Sequence, residues 1–198
     1  MKAVAFNGSP RKGGNTELLL QKVLEPIKEA GIETELIQVG GTNIIGCRAC
    51  FGCMKSKNRK CVFDDDKLNE WLEKAFEADA IIIGSPTYFA AMTAETKALI
   101  DRLGFVALAN GGLLSRKVGA AVVAVRRGGA TSVQDSINHM FLMSRVIVPG
   151  STYWNMGYGL EKGEAGNDDE GLRNMKDLGE TIAWLVKMIS KDRVPVSN

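Results

Sequence analysis

Residues 1–16, MKAVAFNGSPRKGGNT, decide the fold of this chain because they join a buried strand to a helix through a glycine-rich turn. Residues 2–6 form a short apolar run of the kind shown by strands that are covered on both faces. The loop of residues 7–14 follows, and apolar residues with helical spacing begin directly after it. A strand, a short turn and a helix in this order predict the first part of a βαβ unit.

The rest of the chain repeats this alternation of short strands and longer helices. After the first strand, the predicted strands cover residues 33–39, 80–84, 117–125 and 146–148. The predicted helices cover residues 15–30, 66–78, 93–102, 132–144 and 168–190, with a long irregular stretch over 149–167. Such alternation is typical of helices packed on both faces of a parallel sheet. It predicts a flavodoxin-like α/β three-layer sandwich whose five-stranded parallel sheet has the order 2-1-3-4-5.

Length and composition are those of an ordinary globular domain. The chain has 198 residues, of which 45% are hydrophobic and 24% charged, and its formal charge of +2 is too small to indicate binding to nucleic acid or a membrane surface. No apolar run approaches the roughly 20 residues that span a bilayer, and the first residues do not form a signal peptide. We expect one domain over residues 1–190 with a cysteine-rich insertion at about 43–63, a loose tail over 191–198, and a cytoplasmic location.

The loop after the first strand has the composition of an anion site. A helix N-terminus offers unpaired N–H groups and partial positive charge. Ser9 and Thr16 add hydroxyl groups, Asn15 adds an amide, and Arg11 adds a planar guanidinium suited to a phosphate. The loop contains neither G-x-x-x-x-G-K-[ST] nor G-x-G-x-x-G, so a terminal monophosphate fits better than a pyrophosphate. The alternative is an ordinary turn whose polar residues only cap the helix.

The loops after the third and fourth strands offer groups suited to a flat ring. Backbone N–H groups and aromatic side chains can contact the edge and faces of such a ring, glycines allow close approach, and arginine stabilises negative charge. The residues that we expect around the ring are Pro86, Thr87, Tyr88, Phe89, Arg126, Gly128 and Gly129. The alternatives are that the aromatic residues serve packing and that the arginines are solvated.

Four sequence motifs together carry a family resemblance: Asn7-Gly-Ser-Pro-Arg11, Asn15-Thr16, Gly84-Ser-Pro-Thr-Tyr88 and Lys97 with Asp101-Arg102. With them, residues 2–185 resemble the NAD(P)H-dependent FMN reductases and the iron–sulfur flavoproteins. The resemblance implies FMN, with its phosphate on the four polar residues of the first loop and its ring beside residues 86–89, and NAD(P)H as co-substrate. It also implies a homodimer or homotetramer with the flavin near a subunit interface, for which residues 153–157 are a candidate.

All four cysteines lie in one short segment, as Cys47, Cys50, Cys53 and Cys61. A secreted disulfide framework would scatter its cysteines, so clustering indicates metal, an iron–sulfur cluster or redox chemistry. The spacing C-x2-C-x2-C-x7-C can supply the four thiolates of a [4Fe–4S] cluster, and it resembles the motif of the iron–sulfur flavoproteins. Structural zinc more often uses two separated C-x2-C pairs. Redox-active or structural thiols and zinc stay open as alternatives.

Three functions are compatible with these patterns. The first is an FMN-dependent oxidoreductase that accepts reducing equivalents from NAD(P)H and passes them to a flavin, a quinone or a one-electron carrier. The second is an FMN and iron–sulfur electron carrier that works with ferredoxin-type partners, and the third is a non-redox binding module. His139 is the sole histidine and has no identifiable partner, so we assign no acid–base residue and take flavin N5 as the reactive centre.

Overall fold

Five parallel strands form one sheet with the order β2-β1-β3-β4-β5. The strands are β1 (Lys2–Asn7), β2 (Glu33–Gln38), β3 (Ala80–Pro86), β4 (Val118–Val125) and β5 (Met156–Tyr158). The computed structural model describes residues 1–191. The predicted strand order is confirmed, and it places the loops after β1, β3 and β4 at one edge of the sheet.

Six α-helices and one short 3₁₀-helix connect the strands. The α-helices are α1 (Asn15–Glu29), α2 (Gly52–Ser56), α3 (Leu68–Glu77), α4 (Ala94–Ala109), α5 (Ala130–Met143) and α6 (Asp169–Lys191). The 3₁₀-helix covers Glu164–Asn167. Within residues 1–191, no helix combines the length and the apolar character needed to cross a bilayer.

Alternate residues of the central strands supply two hydrophobic cores, one on each face of the sheet. In β1, Val4 and Phe6 pack into the core that α3, α4 and α5 cover. Ala3 and Ala5 of the same strand pack into the core that α1 and α6 cover. This two-residue period explains why the central strands are almost continuously apolar, since both faces of the sheet are buried. The three-layer sandwich follows from it.

The predicted fifth strand at residues 146–148 is wrong. In that segment the structure has only an isolated bridge between Ile147 and Val118, which lies at the first residue of β4. The strand that pairs with β4 is β5, which aligns with Val123–Val125 at the carboxyl end of β4. Val146 is apolar because it is buried in the core, whereas β5 has three residues and too little sequence to show a strand pattern.

Three further boundaries differ from the predictions. Helix α4 continues past the predicted end at residue 102 to Ala109, because a single glycine within a helix is tolerated. The cysteine segment contains the short helix α2, which the sequence analysis missed. The predicted loose tail begins at Lys191, but that residue is the last of α6, and residues 192–198 lie outside the described residues.

Candidate functional site

A cavity of about 230 Å³ opens at the carboxyl edge of the sheet. It brings together eight of the eleven residues that the sequence predicts for cofactor binding, and these are Ser9, Arg11, Asn15, Thr16, Pro86, Thr87, Tyr88 and Arg126. Gly14, Ala124, Gly159, Leu160 and Lys162 complete the lining. Phe89, Gly128 and Gly129 are not part of it. The cavity therefore joins the predicted phosphate loop to the loops predicted for a flat ring.

Two buried hydroxyl groups in this cavity have no hydrogen-bond partner. Thr16, in the first turn of α1, is 1% exposed, and its Oγ1 atom is unpaired within residues 1–191. The Oγ1 atom of Thr87, just after β3, is unpaired in the same sense. Buried polar groups in proteins are almost always paired, because an unpaired one loses its hydration without compensation. These two atoms therefore indicate a polar ligand in the cavity.

The charges around the cavity favour an anion. Arg11, Arg126 and Lys162 line it, and none of its lining residues within 1–191 is Asp or Glu. Helix α1 begins at Asn15 beside the cavity, and the first N–H groups of a helix have no partner inside the helix. Helix dipole and side chains therefore contribute positive charge at the same place. A phosphate bound at the start of α1 would also accept a hydrogen bond from the Thr16 hydroxyl.

The segment after β5 forms one wall of the cavity, and the sequence analysis did not assign it to the site. Arg11 Nη1 donates to the Leu160 carbonyl at 3.2 Å, and Asn15 Nδ2 donates to the Glu161 carbonyl at 2.9 Å. The Asn15 Oδ1 atom accepts a hydrogen bond from the Ala165 N–H at 3.2 Å. Arg11 and Asn15 thus hold this wall in place and also line the cavity.

Two further contacts fix the backbone of this wall. The Glu164 carboxylate accepts hydrogen bonds from the N–H groups of Glu161 and Leu160, which lower its pKa. A Cβ atom on Gly159 would lie 2.7 Å from Asn15 Nδ2, so a side chain there would displace the asparagine. The only sequence signal was the unusual length of the connection, for which we expected a functional role nearer residues 153–157.

A tight turn at Tyr88–Ala91 sets the positions of two of the predicted residues that lie outside the cavity lining. Tyr88 and Ala91 exchange backbone hydrogen bonds of 2.8 and 3.0 Å, and Phe89 and Ala90 have positive φ angles of 49° and 59°. The Phe89 side chain is fully exposed at the tip of the turn and is not part of the cavity lining. Gly129 has φ +89°, and a Cβ there would lie 2.9 Å from Ala90 Cα. Its place in the structure is to let the loop after β4 pack against this turn.

The four cysteines line a second, smaller cavity of about 20 Å³ beside α2 and α4. All four are free thiols: Cys53 is buried, Cys61 is half-buried, and Cys47 and Cys50 are exposed. Burial raises the pKa of the Cys53 thiol. Within residues 1–191, no group of three or more His, Cys, Asp or Glu side chains has an arrangement that could hold a metal ion. The cavity thus brings the four thiols together.

Parallel strands in the order 2-1-3-4-5, with an anion-suited cavity at their carboxyl edge, define a flavodoxin-like protein. Residues 1–161 match the model of the NADPH-dependent FMN reductase family, and the chain belongs to that family. It is 40% identical over 198 residues to an iron–sulfur flavoprotein of Methanocaldococcus jannaschii, a match that covers 96% of this chain and 100% of the relative.

Solved structures show the same fold. The chain superposes with a TM-score of 0.77 on RosB with a bound intermediate, at 19% identity, over 99% of this chain and 82% of that one. It superposes with a TM-score of 0.62 on a flavodoxin from the domain Archaea, at 20% identity, over 94% of this chain and 99% of that one. The flavodoxin-like fold that the sequence predicted is therefore confirmed.

Proposed function

We propose that this chain is an FMN-dependent oxidoreductase that accepts reducing equivalents from NAD(P)H and passes them to a flavin, a quinone or a one-electron carrier. The observation that carries the proposal is the unpaired, buried Thr16 hydroxyl beside the start of α1, in a cavity lined by cations and free of carboxylates among the described residues. Membership of the NADPH-dependent FMN reductase family supports the same redox class.

The residues that line the cavity fit FMN. Ser9, Asn15, Thr16 and Arg11 would hold the phosphate at the helix N-terminus, where donors and positive charge coincide. Pro86, Thr87, Tyr88 and Arg126 would lie against the ring system, with the unpaired Thr87 hydroxyl free to bond a polar edge. When bound, FMN supplies hydride acceptance and one-electron return, while the protein orients the ring and limits its contact with water.

The cysteine cavity fits a [4Fe–4S] cluster better than zinc. Each thiolate of such a cluster binds a different iron atom, so its four sulfur ligands are spaced more widely than the ligands of one ion. Structural zinc more often uses two separated C-x2-C pairs, whereas here three cysteines spaced two residues apart and a fourth line one cavity. The name of the Methanocaldococcus jannaschii relative supports the cluster as well.

One observation favours an electron carrier as a second candidate function. Cys47 and Cys50 are exposed, so a group held in the cysteine cavity would lie at the protein surface. Such a position suits direct electron exchange with a ferredoxin-type partner without nicotinamide oxidation.

Both candidate functions include a homodimer or homotetramer. Light scattering after size-exclusion chromatography measures this oligomeric state.

Anaerobic stopped-flow mixing with NADH and with NADPH tests the proposal. We expect the flavin absorbance of the FMN-loaded protein to bleach within a turnover time with at least one of the two. An Arg11→Ala/Thr16→Ala variant should fail to retain FMN, whereas Arg173→Ala, an arginine change outside the cavity lining, should retain it. Bound FMN with no bleaching by either nucleotide would leave the electron carrier, and no FMN binding would exclude both functions.

A further inference from the structure

A buried ion pair lies beneath the cysteine cavity. The side chains of Arg102 in α4 and Asp66 are 2% and 5% exposed, and Arg102 Nη1 donates to the Asp66 carboxylate. The same guanidinium donates to the Ile45 carbonyl at 3.1 Å and to the Phe63 carbonyl at 3.0 Å. Asp66 also accepts a hydrogen bond from the Ile45 N–H at 3.1 Å. One buried cation thus contacts three points of the chain that carries the cysteines.

These contacts lie at the two ends of the cysteine segment. Ile45 precedes Cys47 by two residues, and Phe63 follows Cys61 by two. Between them, regular structure is limited to the five residues of α2. The separation between the first and the last cysteine therefore depends on how Arg102 holds both ends against α4. A lysine could not replace this function fully, because the planar guanidinium reaches several acceptors at once.

Among the described residues, one nitrogen atom of the Arg102 guanidinium makes no hydrogen bond. Its Nε atom is buried and has no partner within residues 1–191, although the side chain lines the cysteine cavity. A fixed positive charge with a spare N–H group beside four thiols is suited to an anionic group that those thiols hold.

We propose that Arg102 is a positioning residue of the cysteine cavity, which fixes both ends of the cysteine segment and donates its Nε–H group to an anionic, thiolate-bound cluster. The inference deepens the proposed function and rests on its [4Fe–4S] part. Hydrogen bonds and positive charge near cluster sulfurs stabilise the reduced, more negative state, so the midpoint potential depends on this residue.

The test uses the full chain, purified anaerobically and reconstituted with iron and sulfide, as wild type, Arg102→Gln, Arg102→Lys and the control Lys97→Gln. Lys97 is an exposed cation of the same helix, paired with Asp101. The readouts are iron and sulfide per chain, iron loss to a chelator, midpoint potential and FMN affinity. We expect Arg102→Gln to lose iron about 10-fold more readily and to have a more negative potential. Arg102→Lys keeps the charge but lacks the Nε–H donor, so it should lose iron faster and show a smaller fall in potential than Arg102→Gln. Lys97→Gln should match wild type.

Each outcome decides the inference. Wild-type retention and an unchanged potential in both Arg102 variants would overturn it while leaving the cluster proposal intact. Loss of iron with an unchanged potential in the loaded fraction would reduce Arg102 to a structural clamp and overturn the donation. A wild-type chain that takes up no iron would overturn the cluster and this inference together. FMN affinity reports folding, and if Arg102→Gln fails to bind FMN, Arg102→Lys decides.

Discussion

Replacing Thr16 with valine should weaken FMN binding without weakening the free protein. The Thr16 side chain is 1% exposed and its hydroxyl has no partner, so the free protein holds an unsatisfied polar group. Replacement by a methyl group of the same shape removes that penalty, which is about 1–3 kcal/mol for a buried hydroxyl. In the complex, the valine variant loses a hydrogen bond to a charged phosphate, about 1.5–3 kcal/mol, which is roughly a 10- to 150-fold rise in Kd.

Two measurements check the expected fall in FMN affinity and the expected absence of a loss in stability. Calorimetric titration with FMN gives the affinity, and urea unfolding of the flavin-free protein gives the free energy of unfolding. We expect the affinity to fall by the stated factor and the free energy of unfolding to stay the same or rise. Thr181→Val, a threonine of α6 outside the cavity lining, serves as the control and should leave the affinity unchanged. Unchanged affinity in Thr16→Val, or a clear loss of stability without flavin, would refute the placement of the phosphate at this hydroxyl.

Three further predictions concern stability. Gly129→Ala should cost about 1–3 kcal/mol in urea unfolding because of its positive φ and its contact with the turn, whereas Gly128→Ala, with open space for a Cβ, should cost nothing measurable. Asp66→Asn should lower the free energy of unfolding by about 3–5 kcal/mol, because it leaves the buried Arg102 charge unpaired. Burial alone would raise the Asp66 pKa, but Arg102 holds that pKa below its usual range. The stability that the ion pair contributes is therefore present above about pH 4 and is lost as pH falls through the lower folded-state pKa. Burial lowers the pKa of Lys117 to about 8. Between about pH 8 and 10.4 the unfolded chain therefore binds more protons than the folded chain, so the free energy of unfolding rises with pH in that range. Lys117→Met should abolish the part of this rise that comes from Lys117.

The sequence predicted those parts of the fold and site that local patterns encode. The polar loop after β1 was recognisable because Ser9, Arg11 and Thr16 lie together in a strand–turn–helix unit, and all three line the same cavity. The wall formed by Gly159, Leu160 and Lys162 was not, because it reaches the site only through the pairing of β5 with the end of β4. That pairing involves three residues, too few for a periodic signal.

Phe89 shows a different limit of sequence reasoning. Its position after the third strand predicted contact with a ring, and the strand does end at the cavity. The direction of its side chain depends on the positive φ angles at Phe89 and Ala90. Neither phenylalanine nor alanine favours such angles, so the sequence does not predict them. The hydrogen bonds between Tyr88 and Ala91 close this turn, and the close packing of Gly129 against Ala90 adds a tertiary contact that local sequence does not show.

Helix α4 contacts the surroundings of both cavities, so it connects them mechanically although each cavity has its own lining residues. At its N-terminus, Thr93 Oγ1 donates to the Gly8 carbonyl at 2.8 Å and so anchors the loop after β1. Two and a half turns later, Arg102 anchors the cysteine segment. The helix fixes the distance between the sites, and none of residues 1–191 lines both cavities. Cys53→Ser should therefore lose iron and retain FMN, while a change that bends α4 should disturb both. Loss of FMN with the cysteine alone would mean that the two sites share ligands, against the separation that the structure shows.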